Sequence, residues 1–180
     1  MSKLFKRILS AIIAVMMLTA VVVPQNAYAA TNNSVFYYQR DSKWGYGRAG
    51  YSACYLSSFA MIITNMGHEN ATPADLYRVN GYSTYTIQSR ITSKYGVSWV
   101  RNSVYGRSKA SKIAMVEELL EKYPQGVIVR NSGHTMIATH VNDNGTIIFN
   151  DPAYSNGAQL TMSQTQLGSW SAISYIEVIK

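Results

Sequence analysis

The 180-residue chain contains one cysteine, Cys54, and three histidines, His68, His134 and His140. A single thiol excludes an intramolecular disulfide and a cysteine-rich zinc site. A thiol that works as a nucleophile must be held as thiolate, with a base beside it and a third group to orient that base. Cys54 stands at the head of an apolar pattern, Leu56, Phe59, Ala60 and Ile63, spaced i, i+3, i+4, i+7, with Gly67 as its stop. That pattern predicts a helix from about Ala53 to Met66 with Ser52 as its N-cap. Cys54 then lies in the first turn, where unpaired N–H groups and the helix dipole favour negative charge and lower a thiol's pKa. A cysteine that only fills a small apolar space has no need of such a position.

Candidates for base and orienter lie in two segments, Gly133-His134-Thr135 and Asn150-Asp151-Pro152. His134 opens one apolar stretch and Asp151 closes the next, with the hairpin signal Asn144-Gly145 between them. A two-residue turn there puts His134 and Asp151 on one face of the hairpin but sets Ala138 opposite Asp151. A wider loop or a bulge must shift the register by about four for the two to touch. His140 shares that face and is the rival base. His68, just past a helix end, is expected at the surface.

The elements that must position these groups follow from periodicity. Residues 35–51 read as an extended, aromatic lead-in. After the Cys54 helix, Thr72-Pro73 starts a short helix through Arg78, and Ile87–Lys94 suggests a third. Val97–Arg101 reads as a strand, Ser111 starts a helix over Lys112–Lys122, and Gly126–Arg130, Thr135–Val141, Thr146–Phe149 and Ile173–Ile179 read as strands. Helices come first and most strands late, so the expected class is α+β with an antiparallel sheet, not a doubly wound one.

Composition narrows the functions further. The chain is 47% hydrophobic and 14% charged, which fits one globular domain and excludes wholesale disorder. The 16 Lys+Arg against 9 Asp+Glu give a net charge of +7, but the basic residues are scattered, so no nucleic-acid face is expected. A phosphate-loop motif and an H-E-x-x-H motif are both absent, and neither metal nor cofactor is expected.

The first residues read as an export signal. Lys3, Lys6 and Arg7 precede the apolar stretch Ile8–Val23, and Ala27-Tyr28-Ala29 has the small-x-small form that signal peptidase reads. The stretch is shorter than the roughly 20 residues that span a bilayer. The expected organisation is a signal peptide over 1–29 and one domain over 30–180. The exported chain would be mildly basic, suited to an anionic cell envelope, with no stable membrane anchor after cleavage.

Three segments together resemble a known family. Ala53-Cys54-Tyr55-Leu56-Ser57-Ser58-Phe59-Ala60-Met61 resembles the Gly-Cys-Gly-Pro-Thr-Ser-Leu-Ala-Met helix start of the C-39-like, papain-fold cysteine peptidases. Gln39-Arg40-Asp41-Ser42-Lys43-Trp44-Gly45 is similar to that family's Gln-x-Asp-x-x-Trp-Gly, and Gly133-His134 with Asn150-Asp151-Pro152 to its Gly-His…Asn-Asp-Pro. The resemblance spans 37–179. It implies a papain-like fold in which a Cys-bearing helix packs on an antiparallel sheet carrying His and Asp. It implies Cys54 as nucleophile, His134 as base, Asp151 as orienter and Gln39 as the side-chain half of an oxyanion hole. Ala53, Tyr55 and Leu56 stand where the family has Gly, Gly and Pro. The Tyr55 ring beside the nucleophile would either narrow the substrate slot or accompany a silent site.

The expected function is therefore a secreted bacterial cysteine hydrolase acting on a peptide or protein substrate. The alternatives are a catalytically silent binding protein on the same fold, and a transglutaminase-like or cell-wall amidase enzyme. N-terminal sequencing of protein from culture medium should read from Ala30, whereas Met1 retained in a membrane fraction would contradict the export reading.

Overall fold

The computed structural model describes residues 34–45, 53–81 and 87–180. The segment expected to direct export lies outside them, as does Ser52. Helix α1 spans Cys54–Asn65, and the residue at its N-cap is Ala53, which makes no side-chain capping bond. The Ser52 cap expected from the sequence is thus replaced by a residue without a capping oxygen, and the first-turn N–H groups have no side-chain oxygen from the cap position. Every residue from Cys54 to Ile63 is buried, so α1 is enclosed on all sides rather than along one stripe.

Helix α2, Pro73–Asn80, starts with a capping box between Thr72 and Asp75, with proline in the first turn. Helix α3 is Ile87–Tyr95. Helix α4, Lys109–Lys122, begins three residues before the expected start, because the Ser108 side chain accepts from the Ser111 N–H. Lys109 and Ala110 add nothing to the apolar period, which hid this first turn.

The strands are β1 (Trp99–Ser103), β2 (Val127–Arg130), β3 (Thr135–Val141), β4 (Ile147–Asn150) and β5 (Tyr175–Ile179). They form one sheet in the order β1-β5-β2-β3-β4, antiparallel at every pairing. The class is α+β, as the order of elements predicted. Ile128, Ile137 and Ile179 face a core with Leu56, Phe59, Ile63 and Leu76 of α1 and α2. Val127, Val129, Met136, Ala138, Ile176 and Val178 face a second core with Val116 and Leu120 of α4. A sheet covered on both faces explains why β2 reads as an unbroken apolar run. The β4 edge is closed by a bridge between Phe149 and Leu160, with hydrogen bonds of 2.8 Å each way.

The β3–β4 hairpin corrects the two-residue turn. Val141 pairs with Ile147, Asn142 N–H donates to Thr146 O at 3.0 Å, and Gly145 takes φ 79°. The loop is therefore one residue longer, with glycine in the left-handed position that such loops require. A bulge between Ala138 and His140 shifts the pairing by one more, to Ile137↔Asn150. The register moves by two in total, not four, and His134 and Asp151 meet diagonally beyond the strand ends.

One buried carboxylate ties α1 to three strands. Glu177 is fully buried. Its Oε2 accepts from Tyr55 Oη at 2.8 Å and Trp99 Nε1 at 3.0 Å, and its Oε1 accepts from Arg101 Nε at 2.8 Å, with Arg130 Nη1 at 3.5 Å. Removing this partner leaves guanidinium charge uncompensated, so Glu177→Ala should cost about 3 kcal/mol by urea denaturation. Tyr55→Phe, which leaves the ring packed, should cost only about 1 kcal/mol.

Candidate active site

Cys54 is the first residue of α1, and its thiol packs against His134. Burial alone would raise the thiol's pKa. The hydrogen bond and charge of His134, followed by the backbone N–H groups of Thr135 and Tyr55, outweigh it and hold Cys54 below the ordinary thiol value. Ser58, one turn into the helix, donates from Oγ to Thr135 O at 3.3 Å and so pins the start of β3 to α1.

His134 sits just before β3, and a local turn fixes it. The Asn131 side chain accepts from the N–H groups of Gly133 and His134 at 2.8 Å each, and Asn131 N–H donates to His134 O at 3.1 Å. The ring's Nε2 lies 2.7 Å from Asp151 Oδ1, which leaves Nδ1 for the thiol. Burial pushes the imidazole down, but Asp151 and Cys54, through hydrogen bonds and charge, push it up to about 9. At neutral pH the ring is an imidazolium, with Nε2–H donating to Asp151 and its charge favouring the thiolate form of Cys54.

Asp151 is fully buried just past β4. Besides His134, its Oδ1 accepts from Ala153 N–H at 3.0 Å and its Oδ2 from Gln166 N–H at 2.7 Å. Its own N–H donates to Gly157 O at 2.7 Å. A Cβ at Gly157 would come within 1.9 Å of the Asp151 carbonyl oxygen, so only glycine closes this loop. Gln39 is buried, and its N–H donates to Pro152 O at 2.9 Å, which sets the lead-in segment alongside the Asp151 loop.

The structure thus brings Cys54, His134 and Asp151 together, with Gln39 beside the Asp151 loop, and leaves the other histidines out. His140, the rival base, is buried in β3 with Nδ1 3.0 Å from Thr139 Oγ1. Burial lowers its pKa, and it is not among the groups acting on Cys54. His68 is half-buried edge-on against Tyr95 at 5.5 Å between ring centroids, not fully exposed. Tyr55 does not lie over the sulfur. Its ring meets Phe59 edge-on at 4.8 Å and its hydroxyl reaches Glu177, so it points into the core. Asn131, Gly157 and the Gln166 backbone escaped the sequence reading. Asn-Ser-Gly ahead of His134 is an Asx-turn signal, but a backbone N–H and a close approach at glycine leave no side-chain pattern to find.

Among the described residues no group of three or more metal-ligating side chains gathers, and no helix is long and apolar enough to cross a membrane. No family model matches the chain, and no curated protein matches it. Among solved structures, it is similar to the crystal structure of UfSP from C. elegans, with 17% identity and a TM-score of 0.49 over 80% of this chain and 31% of that one. The chain spans about a third of that protein's length.

The charges fix a reactivity. A free thiol of pKa about 8.5 alkylates roughly 80-fold faster at pH 8 than at pH 6. Iodoacetamide should label Cys54 nearly as fast at pH 6 as at pH 8, read by mass spectrometry. His134→Ala should restore the steep dependence, and Asp151→Ala should weaken the effect less, because it acts through the ring's orientation.

Proposed function

We propose that this chain is a secreted cysteine hydrolase of the papain-like kind, which cleaves a peptide or amide bond with Cys54, His134 and Asp151. The observation that carries the reading is the buried His134 ring, with Asp151 at Nε2 and the Cys54 thiol, at a helix start, against its other side. The basic head, apolar stretch and Ala27-Tyr28-Ala29 support export. The inward course of Tyr55 speaks against a site blocked by its own ring.

In this mechanism the Cys54 thiolate attacks the carbonyl carbon. The Cys54 N–H and the Gln39 side chain receive the oxyanion. His134 gives its proton to the leaving amine as the C–N bond breaks, and a thioester to Cys54 remains. His134, now neutral, takes a proton from water as the water attacks the thioester, and keeps it as the C–S bond breaks, so that the sulfur leaves as thiolate and the starting ion pair is restored. Asp151 keeps the ring oriented and compensates its positive charge throughout.

Gln39 serves the oxyanion and not the charge of the thiol, so its variant separates those two parts of the scheme. Gln39→Ala should lower kcat about 100-fold on a cleavable peptide with KM little changed. It should leave the pH 6 alkylation of Cys54 fast. Cys54→Ser should fold and lose hydrolysis. Product analysis on peptide and on peptidoglycan separates a peptidase from a cell-wall amidase. Fast alkylation without hydrolysis of either would point to a binding protein instead.

A further inference from the structure

A row of residues at one end of the sheet leads away from the thiol. Thr135, whose backbone hydrogen-bonds the Cys54 sulfur, pairs with Arg130, Arg130 with Tyr175, and Tyr175 with Ser103. One level down, Arg101 pairs with Glu177 and Trp99 with Ile179. Side chains two apart in a strand share a face, so Trp99, Arg101, Ser103, Arg130, Tyr175 and Glu177 all stand on the α1 side of the sheet.

Rings and cations alternate along this face. The Arg130 guanidinium lies 4.8 Å from the Tyr55 ring centroid and 5.4 Å from that of Tyr175. The Arg101 guanidinium lies 5.2 Å from Tyr175 and 4.8 Å from Trp99. The ladder therefore starts at the residue next to the nucleophile and ends at the β1 edge.

Its charges do not cancel. All nine acidic residues of the chain are among the described residues, and of these Glu177 alone ion-pairs with Arg101 or Arg130. Both Glu177 oxygens are already occupied, and the carboxylate is fully buried. Two guanidiniums thus share one inward carboxylate, while their side chains stay 34% and 16% exposed for Arg101 and Arg130. Arg130 Nε also donates to Asn131 O at 3.2 Å, so the more exposed Arg101, between the Tyr175 and Trp99 rings, is the better placed of the two to meet a planar carboxylate.

We infer that this ladder is a substrate subsite for a carboxylate-bearing residue near the scissile bond, with Arg101 and Arg130 as its readers and Tyr175 as its shelf. The inference rests on the hydrolase reading of Cys54. A side-chain carboxylate and a chain terminus share this chemistry.

The test uses alkylating probes that need no known substrate. Iodoacetyl-glycyl-glutamate with a capped terminus is compared with its glutamine counterpart, and with the glutamine probe bearing a free terminus. In each case the Cys54 sulfur forms a bond to carbon and iodide leaves. At pH 7 and low salt, one carboxylate probe should react about fivefold faster than the capped glutamine probe. Which of the two it is tells side chain from terminus. The ratio should fall toward one in about 0.5 M salt, since the cations are part-exposed. It should also fall toward one in Arg101→Gln. Ser103→Glu, an exposed change that leaves the Glu177 network intact, should push it below one. Equal rates in the wild type, with fast iodoacetamide labelling at pH 6, overturn the subsite and leave the hydrolase reading standing. A preference that persists unchanged in both variants also overturns it. Labelling by every reagent at the rate of a free thiol overturns both readings.

Discussion

The constraint on which the site depends is a positive charge that must stay buried. An imidazolium taken out of water is costly unless it is paired and hydrogen-bonded. His134 meets that demand on two sides, with Asp151 at Nε2 and the thiol of Cys54. Asp151 is itself buried and carries the same cost, which three donors offset: His134 Nε2, Ala153 N–H and Gln166 N–H. The tight turn through Gly157 and the chain up to Gln166 exist in this form because a buried carboxylate needs donors that cannot move away. The Thr165 side chain, bonded to Met162 O at 2.8 Å, keeps that last segment folded in turn.

The second requirement is a helix start that does not drift relative to the sheet. Helix α1 is buried on all sides, so its axis is set by the two surfaces it touches. Its first turn is fixed more specifically. Tyr55 is hydrogen-bonded to Glu177, and Ser58 to the Thr135 carbonyl. These contacts hold the Cys54 backbone on one side and the His134–Thr135 backbone on the other. Tyr55 therefore does a job that a glycine at this position could not do. It converts one flank of the nucleophile into a strut between helix and sheet, and Tyr55→Gly would remove the strut along with the ring.

Much of this was legible in the sequence. The helix at Cys54, strand β3 at Thr135–Val141 and the antiparallel α+β class follow from periodicity and turn residues, because those signals are local. Residue types and order bring Cys54 and Asp151 together with either His134 or His140, and the choice of His134 rests on the resemblance carried by Gly133-His134 and Asn150-Asp151-Pro152. The rest depends on contacts between distant parts of the chain. The Ser52 cap failed because propensity names a residue type, not the position at which the helix begins. The hairpin register failed by two because the extra loop residue and the bulge at Thr139 each add one, and neither has a strong signature. Glu177 reads as one polar position in an apolar strand, and nothing local reveals that four donors on α1, β1 and β2 converge on it.

The same charges that serve the chemistry shape how folding depends on pH. His134 is raised from 6.5 to about 9, so its contribution to stability is full below 6.5 and is lost as pH rises through about 9. Cys54 is lowered from its ordinary value of 9.0, so its contribution is present above 9 and is lost as pH falls through its folded value. Between 6.5 and 9 the two slopes have opposite sign. In that window folding favours a proton on the ring and disfavours one on the thiol. The two contributions oppose each other, so the pair's net slope is smaller than that of His134 alone. Each group thus shields the fold from the pH dependence that the other would impose, because the charge that raises the ring is the same charge that lowers the thiol.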